Sequence, residues 1–488
     1  MFSIFPELGL HVQGIINIVY LLTVIFIATL IVLENRSPIK TISWVLVLIL
    51  LPFAGIIIYL FFGQEYRKKK MFSRKGLHDL EKLRKLTQSQ LDQLPKNYLT
   101  LSGPVYEKRR LMNLLLANSN ALVSDDNRIR ILKNGEQAFP AMFQAIEEAR
   151  HHIHLEFYIV DDDIIGNQLR EMLIRKAMSG VEVRFIYDDV GSWKLSKKYI
   201  RSLREAGVKI DCFIKVRFPL LTSKVNYRNH RKIIVVDGKV AFIGGLNIAD
   251  RYLNGSRLLG SWRDTHLMLT GGAATSMQII FMADWYFVSK EILQGEKYFH
   301  RLKHGRGKIV QVVASGPDSD WESLSQAYFT AIASAHEKVY IATPYLIPNT
   351  EIGSAIKSAA LAGVDVRILL PDKSDAIIPK WGTHSYLAEL MEAGVKIYLY
   401  QPGFMHSKIM IVDGVLSTVG TANLDFRSME TNFEVNAFVY DEATAKRLEK
   451  HFLNDLGQSR QVIPEEWEQR PRLWKAKESF ARLLSPLL

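Results

Sequence analysis

Asn229-His230-Arg231-Lys232-Ile233-Ile234-Val235-Val236-Asp237-Gly238 is followed by Gly244, Gly245 and Asn247. Met405-His406-Ser407-Lys408-Ile409-Met410-Ile411-Val412-Asp413-Gly414 is followed by Gly420 and Asn423. One offset of 176 carries His230, Lys232, Asp237, Gly238, Gly244 and Asn247 onto His406, Lys408, Asp413, Gly414, Gly420 and Asn423. A lone His-x-Lys carries no signal. Two copies with the same Asp, Gly and Asn spacing carry a strong one. In each copy the His and Lys open an apolar, β-branched run, and residues i and i+2 of a strand share a face. The imidazole and the ammonium of each pair are therefore expected to point the same way. Asp237 and Asp413 belong to the candidate catalytic set by their place in the motif. Each also begins an Asp-Gly pair between two apolar runs, the chemistry of a hairpin turn. They are expected to shape turns rather than touch substrate. Gly244 and Gly420 would permit close backbone approach after the return strand, and Asn247 and Asn423 could donate into the site.

Each motif is followed by a carboxylate. Asp264 lies in Ser261-Trp262-Arg263-Asp264-Thr265-His266 after the first, and Glu434 in Asn432-Phe433-Glu434 after the second. A carboxylate bonded to one ring nitrogen fixes the tautomer and raises basicity at the other. Asp264 and Glu434 are thus the expected partners of the histidines, each beyond the motif it follows. Two such sites facing each other would form one catalytic centre. One neutral histidine could attack a phosphorus and become a covalent phosphohistidine. The other, protonated, could give its proton to the leaving alkoxide. Lys232 and Lys408 could neutralise the non-bridging oxygens.

The duplication extends beyond the motifs. Glu205-Ala-Gly-Val-Lys-Ile210 recurs unchanged as Glu392–Ile397, and Gly180-Val-Glu-Val-Arg184 recurs as Gly363-Val-Asp-Val-Arg367. Runs at His152–Ile159, Val181–Tyr187 and Val208–Phe213 read as strands. Asn167–Ser179 and Ser196–Ala206 read as helices between them. The fold class is α/β with a mixed or largely parallel sheet, in two pseudo-symmetric lobes with the active site between them. The first lobe is expected over 111–295 and the second over 305–465, joined near Gln294–Gly307. A C-terminal amphipathic tail occupies 466–488. Within it Lys477–Leu488 either lies on a membrane or packs on a lobe.

The chain has 488 residues and a net charge of +12, with 48% hydrophobic and 23% charged residues. Disorder is excluded by that balance. One cysteine, Cys212, excludes an internal disulfide framework and a Cys-rich metal site. The mean hydropathy of +0.02 is high for so charged a chain. The offset lies at the N-terminus. Gly14–Leu33 is 20 residues without a charge, and Thr41–Gly63 is 23. Each run could cross a hydrocarbon core of ~30 Å as a helix. With the polar turn 34–40 between them, residues 1–64 read as a transmembrane hairpin with helices at about 14–33 and 42–62. A signal peptide is disfavoured, because no Lys or Arg precedes the first run and a second run follows at once. Arg36 and Lys40 in the turn face six basic residues from Arg67 to Lys75, which places the C-terminal side in the cytoplasm. Residues 65–110 form a basic juxtamembrane linker. Residues 63–110 hold 13 basic and 5 acidic side chains, a net of +8 and two-thirds of the total charge. A basic collar beside a bilayer suits anionic lipid rather than nucleic acid.

No HExxH, Asp-rich cluster or phosphate-binding glycine loop is present, so no metal or nucleotide cofactor is expected. The paired H-x-K-x4-D motifs resemble the phospholipase D superfamily. More closely, the chain is similar to bacterial cardiolipin synthases of that superfamily. The likeness runs through Asn35-Arg-Ser-Pro38 and Trp44, Asn226–Lys232, Trp262-Arg263-Asp264, Asn423-Leu-Asp425-Phe-Arg427-Ser428 and Leu483–Leu488. The resemblance implies two phospholipase D-like lobes after the hairpin. It also implies a reaction: two phosphatidylglycerol molecules give cardiolipin and glycerol at a bacterial cell membrane. It assigns His230 as nucleophile and His406 as general acid and later base, though the pseudo-symmetry allows the reverse. The main alternative is a membrane-bound phospholipase D that hydrolyses phospholipids to phosphatidic acid. The sequence leaves the oligomeric state open.

Overall fold

A computed structural model describes residues 10–33, 38–51, 54–59, 103–216, 226–299 and 305–485. The chain forms two compact units, one of residues 1–73 with 216–226 and one of 74–215 with 227–488.

In the first unit α1 (Leu10–Leu33) is followed by α2 (Pro38–Leu50) and α3 (Ala54–Ile58). Both α2 and α3 fall on the helix expected over 42–62, of which residues 52, 53 and 60–62 lie outside the described residues. The Gly55 N–H donates to the Leu51 carbonyl (2.7 Å). The hairpin closes through Tyr20, whose hydroxyl donates to the carbonyl of Leu48 (2.7 Å), and through the edge-on pair Trp44–Tyr59. Val24, Ile27, Ile31 and Leu48 are buried between the helices, while Ile18, Leu22 and Phe26 face outward. Over the residues described in full, no helix is long and apolar enough to cross a membrane. The spanning hairpin therefore rests on the sequence runs. Most of the basic linker, 65–102, lies outside the described residues.

The second unit begins with α4 (Pro104–Glu107) and α5 (Arg109–Ser119). The first lobe's strands are β1 (Ser124–Lys133), β2 (His152–Phe157), β3 (Glu182–Tyr187), β4 (Lys209–Cys212), β5 (Ile233–Val236), β6 (Val240–Gly244), β7 (Ser261–Arg263) and β8 (Thr265–Thr270). Its helices are α6 (Asn134–Glu147), α7 (Ile164–Met178), α8 (Lys197–Glu205), α9 (Arg251–Asn254) and α10 (Gly272–Ser289). The second lobe repeats the plan with β9 (Lys308–Ser315), β10 (Lys338–Ala342), β11 (Leu346–Ile347), β12 (Asp365–Pro371), β13 (Lys396–Tyr400), β14 (Gly403–Met405), β15 (Ile409–Val412), β16 (Leu416–Gly420), β17 (Leu424–Asp425), β18 (Glu434–Tyr440) and β19 (Ser459–Gln461). Its helices are α11 (Ser323–Ala333), α12 (Thr350–Leu361), α13 (Ile377–Glu392), α14 (Glu442–Leu456), α15 (Pro464–Glu468) and α16 (Arg472–Leu483).

Among the described residues one sheet of fifteen strands runs through both lobes, in the order β19-β13-β12-β10-β15-β16-β18-β9-β1-β8-β6-β5-β2-β3-β4. The order reads the same from either side of the β9–β1 seam, with β19 the extra edge strand. The sheet is mixed. β2, β3 and β4 are parallel, as are β10, β12 and β13, while the central strands pair antiparallel. Apolar side chains explain the continuity. Ile233, Val235 and Ile243 of lobe one share one buried layer with Val312, Ile411 and Val435 of lobe two. The lobes are therefore one body, and Leu111, Met112, Leu115 and Leu116 of α5 pack into the second lobe's core beside Leu324 and Tyr328. The start of the expected first lobe thus belongs, by packing, to the second.

Candidate active site

β5 and β15 lie antiparallel to β2 and β10, so the residues leading into β5 and β15 stand at the C-terminal edge of the parallel strands. Ligand sites of open α/β sheets favour that edge. His230 and His406 lie there, in the extended leads rather than in the strands themselves. Each lysine folds back on its own motif. Lys232 Nζ donates to the His230 carbonyl (2.7 Å), and Lys408 Nζ to that of His406 (2.6 Å). Both lysines are completely buried.

The carboxylates are the expected residues, but their pairing is crossed. His230 Nδ1 bonds Glu434 of the other lobe, at 2.9 and 3.0 Å to its two oxygens. His406 Nδ1 bonds Asp264 Oδ2 at 2.7 Å. Pairing each histidine with the carboxylate that follows it in its own lobe is therefore corrected. The backbone shows why. The His230 N–H donates to the Phe433 carbonyl (2.9 Å), so the first motif docks on the segment before Glu434. The His406 N–H donates to the Arg263 carbonyl (2.8 Å), and β14 pairs parallel with β7. Each motif's lead thus runs beside the other lobe's carboxylate. Neither histidine is complete without both lobes.

The two pairs differ. Glu434 also accepts from the hydroxyls of Thr421 (2.5 Å) and Ser428 (2.8 Å). Burial works to raise its pKa, but His230, Lys232 and Thr421 outweigh burial and hold it below the usual range. Asp264 has the Thr265 N–H (2.7 Å), and burial lifts its pKa to about 6. Gly245 occupies the position of Thr421 in the first copy, where any Cβ would strike the Asp264 carboxylate. Burial lowers His230 to about 4 and His406 well below its usual value, with Lys408 and Lys232 adding to the latter shift. Burial and the Lys408 ammonium bring Lys232 down to about 7, and burial, outweighing the nearby carboxylates, brings Lys408 to about 8. Near pH 7 the site thus holds two neutral imidazoles, and both lysines gain and lose their protons close to that pH. A bound phosphodiester anion would favour every one of those protons.

The remaining candidates stand apart. Asp237 and Asp413 each adopt φ of +53°, beyond the far ends of β5 and β15. Asp237 accepts the backbone N–H groups of Arg150, His151 and His152. Asp413 accepts those of His336, Glu337 and Lys338, and binds Lys108 Nζ at 2.7 Å. Their place in the catalytic set is corrected: both are turn and cap residues a strand's length from the histidines. Asn247 does not donate into the site. Its Oδ1 accepts from Ile159 N–H (3.1 Å) and its Nδ2 donates to the Tyr252 hydroxyl (2.5 Å), which lies edge-on to His406. Asn423 is buried, with its N–H on Ser428 Oγ (3.1 Å). Gly244 and Gly420 do give close approach, to the side chains of His266 and Asn436 on the next strand.

Several site residues lay outside the motif reading. Tyr158 stands edge-on to His230 at 5.0 Å, with Lys232 Nζ 5.6 Å from its ring centre. Asp188, fully buried, binds Arg228 Nη1 (3.1 Å) and the Asn229 N–H (3.0 Å), which fixes the approach to His230. The buried Arg231 guanidinium bonds Asp284 of its own lobe and the carbonyls of Glu434 (3.1 Å) and Ser315 (3.2 Å) of the other. Ser407 takes its place in the second motif, where a single hydroxyl contact with Thr265 of the first lobe (3.1 Å) replaces the guanidinium clamp. The clustering of Arg228, Asn229 and Arg231 around His230 was the available signal. Among the described residues no group of three or more His, Cys, Asp or Glu could hold a metal ion.

Comparisons with known proteins agree with this architecture. The family described as cardiolipin synthase, PLD-like domain, matches residues 142–260 and 328–456, one stretch in each lobe. The family described as phospholipase D-nuclease N-terminal matches 15–64. A cardiolipin synthase of Geobacillus sp. (strain WCH70) is 47% identical over 97% of this chain and 94% of its own length. One of Alkalihalophilus pseudofirmus is 45% identical over 97% and 94%. A probable cardiolipin synthase of Bacillus subtilis is 40% identical over 96% and 93%. The crystal structure of phosphatidylserine synthase from Haemophilus influenzae shares the fold, with a TM-score of 0.61 at 14% identity over 78% of this chain and 99% of that one. The chain belongs to the cardiolipin synthase family of PLD-like proteins.

Proposed function

We propose that this phosphatidyltransferase makes cardiolipin from two molecules of phosphatidylglycerol, releasing glycerol. The observation that carries the reading is the crossed pair of histidine–carboxylate dyads with two buried lysines between them. With each Nδ1 proton held by a carboxylate, the Nε2 lone pair is the reactive one. His230 Nε2 attacks the phosphorus of the first lipid. The bond to the glycerol head group breaks, and His406, which takes up a proton at Nε2 when the anionic phosphodiester binds beside it, gives that proton to the departing alkoxide. His406 then takes the proton from the hydroxyl of a second phosphatidylglycerol, whose oxygen displaces His230 from phosphorus. One phosphodiester is exchanged for another, so no nucleotide is consumed. Lys232 and Lys408 balance the charge on the non-bridging oxygens through both steps. Glu434 supports the role of His230, because an ionised, well-bonded carboxylate stabilises the imidazolium character of a nucleophilic histidine.

Membrane attachment completes the reading. The two uncharged runs of residues 1–64 span the bacterial cell membrane as a hairpin, the basic linker meets anionic lipid, and the lobes work in the cytoplasm. The purified protein, given phosphatidylglycerol vesicles, a chelator and no nucleotide, is expected to yield cardiolipin and glycerol in equal amounts. Phosphatidic acid as the sole product would instead establish a hydrolytic phospholipase D.

A further inference from the structure

The outer face of α13 and α16 is apolar and basic. α16 packs on α13 through buried Glu478 and Ala481. Glu478 is turned inward and bound by Arg470 (2.7 Å), and the Arg482 guanidinium donates to the Ser385 carbonyl (3.0 Å). The other side presents Leu473 (65% exposed), Phe480 (66%) and Leu483 (78%), and the first turn of α13 adds Ile377 (76%). Trp474 stands edge-on to Trp381 at 5.7 Å, with Lys477 Nζ 5.5 Å from the Trp381 ring centre, so the two helices share one surface. α16 carries Arg472, Lys475, Lys477 and Arg482 against the single inward acid Glu478 of its own, with Arg482 also paired to Glu389 of α13 (3.1 Å). Such a patch lacks a soluble monomer's usual cover. Aromatic, aliphatic and lysine side chains in this mixture suit a head-group layer.

Its position matters as much as its composition. α13 follows β12 at the C-terminal edge of the parallel strands, the edge that holds His406. Asp375, just before α13, binds the Tyr345 hydroxyl (2.6 Å) and acts electrostatically on Lys408. In the first lobe the segment after β3, the counterpart of β12, exposes Trp193 (77%) at the same edge. We propose that the α13–α16 face docks on the surface of an anionic bilayer and so turns the catalytic edge toward the lipid. The choice of lipid over protein rests on charge: Arg472, Lys475 and Lys477 match phosphatidylglycerol head groups. The purpose of docking rests on the proposed lipid reaction, but the contact itself is separable from it.

The test uses the full chain with Cys212→Ser, which removes its one cysteine, and Phe480→Cys carrying an environment-sensitive fluorophore. A second label at Leu361→Cys reports on the opposite sheet edge, where α12 ends before β12. Both proteins are placed in nanodiscs of phosphatidylcholine with or without phosphatidylglycerol. Expected is a blue shift and protection from aqueous iodide at position 480, stronger with phosphatidylglycerol, and neither at 361. Lys475→Glu with Lys477→Glu is expected to weaken that protection, by about fivefold in partitioning per basic side chain. Position 480 as open as 361, or protected equally without anionic lipid as against a second copy of the chain, would overturn the proposal. Docking without cardiolipin synthesis would sink the function alone, and synthesis without docking would sink this inference alone.

Discussion

His230 and His406 look equivalent in the sequence but stand in different surroundings. Glu434 receives two hydroxyl donors beside His230, whereas Asp264 receives one backbone N–H beside His406. Glu434→Gln is expected to remove the low-field Nδ1–H resonance of His230, and Asp264→Asn that of His406. Proton NMR of each variant checks the crossed pairing, which fails if each change silences the histidine of its own lobe. Each variant should lose about 10²–10⁴-fold in turnover while remaining folded. The lysines set the pH dependence. As pH rises through about 7 and about 8, Lys232 and Lys408 of the free enzyme lose their protons, and kcat/KM should fall. As pH falls toward about 4, His230 becomes protonated and ceases to attack. A bell-shaped kcat/KM profile is therefore expected. A profile still rising above pH 9 would remove the lysines from the charge balance.

At the scale of elements, the Asp of each motif supports the strand rather than the chemistry. Asp237→Asn leaves buried N–H groups poorly matched and is expected to cost about 1–3 kcal/mol. Asp413→Asn also leaves the Lys108 ammonium buried without its partner, and the expected cost rises to about 3–5 kcal/mol. Thermal unfolding should rank the two in that order, with kcat little changed in molecules that remain folded. A large loss of kcat at unchanged stability would return these residues to the catalytic set. Their turn role was legible in the Asp-Gly pairs, because hairpin chemistry is local. The carboxylate pairing was not. Asp264 and Glu434 could be named from position after each motif, but their partners depend on β7 meeting β14 and on Phe433 meeting the lead into His230. Those contacts join residues more than 140 positions apart, and no spacing encodes them.

For the whole molecule, the repeat predicted two lobes, and the structure makes them one sheet. The duplicated motifs carried the site because both copies keep His and Lys, and periodicity carried the strands. What periodicity could not give was the β1–β9 seam, or the placement of α5 in the second lobe's core, since apolar faces do not name their partners. The seam has a consequence. A chain divided at residue 303 should show no turnover from either half alone, because each histidine would lack its carboxylate. Activity should return when the halves are produced together. Turnover by one half would show that a single motif suffices. The central claim is that a phosphatidyl group passes through His230 in a site built by both lobes. It is tested most directly by mixing enzyme with phosphatidylglycerol, quenching rapidly and mapping the adduct by mass spectrometry. The account predicts a phosphatidyl mass on the peptide carrying His230, absent in His230→Ala together with all cardiolipin synthesis. Full synthesis by His230→Ala, or an adduct on His406 instead, would contradict it.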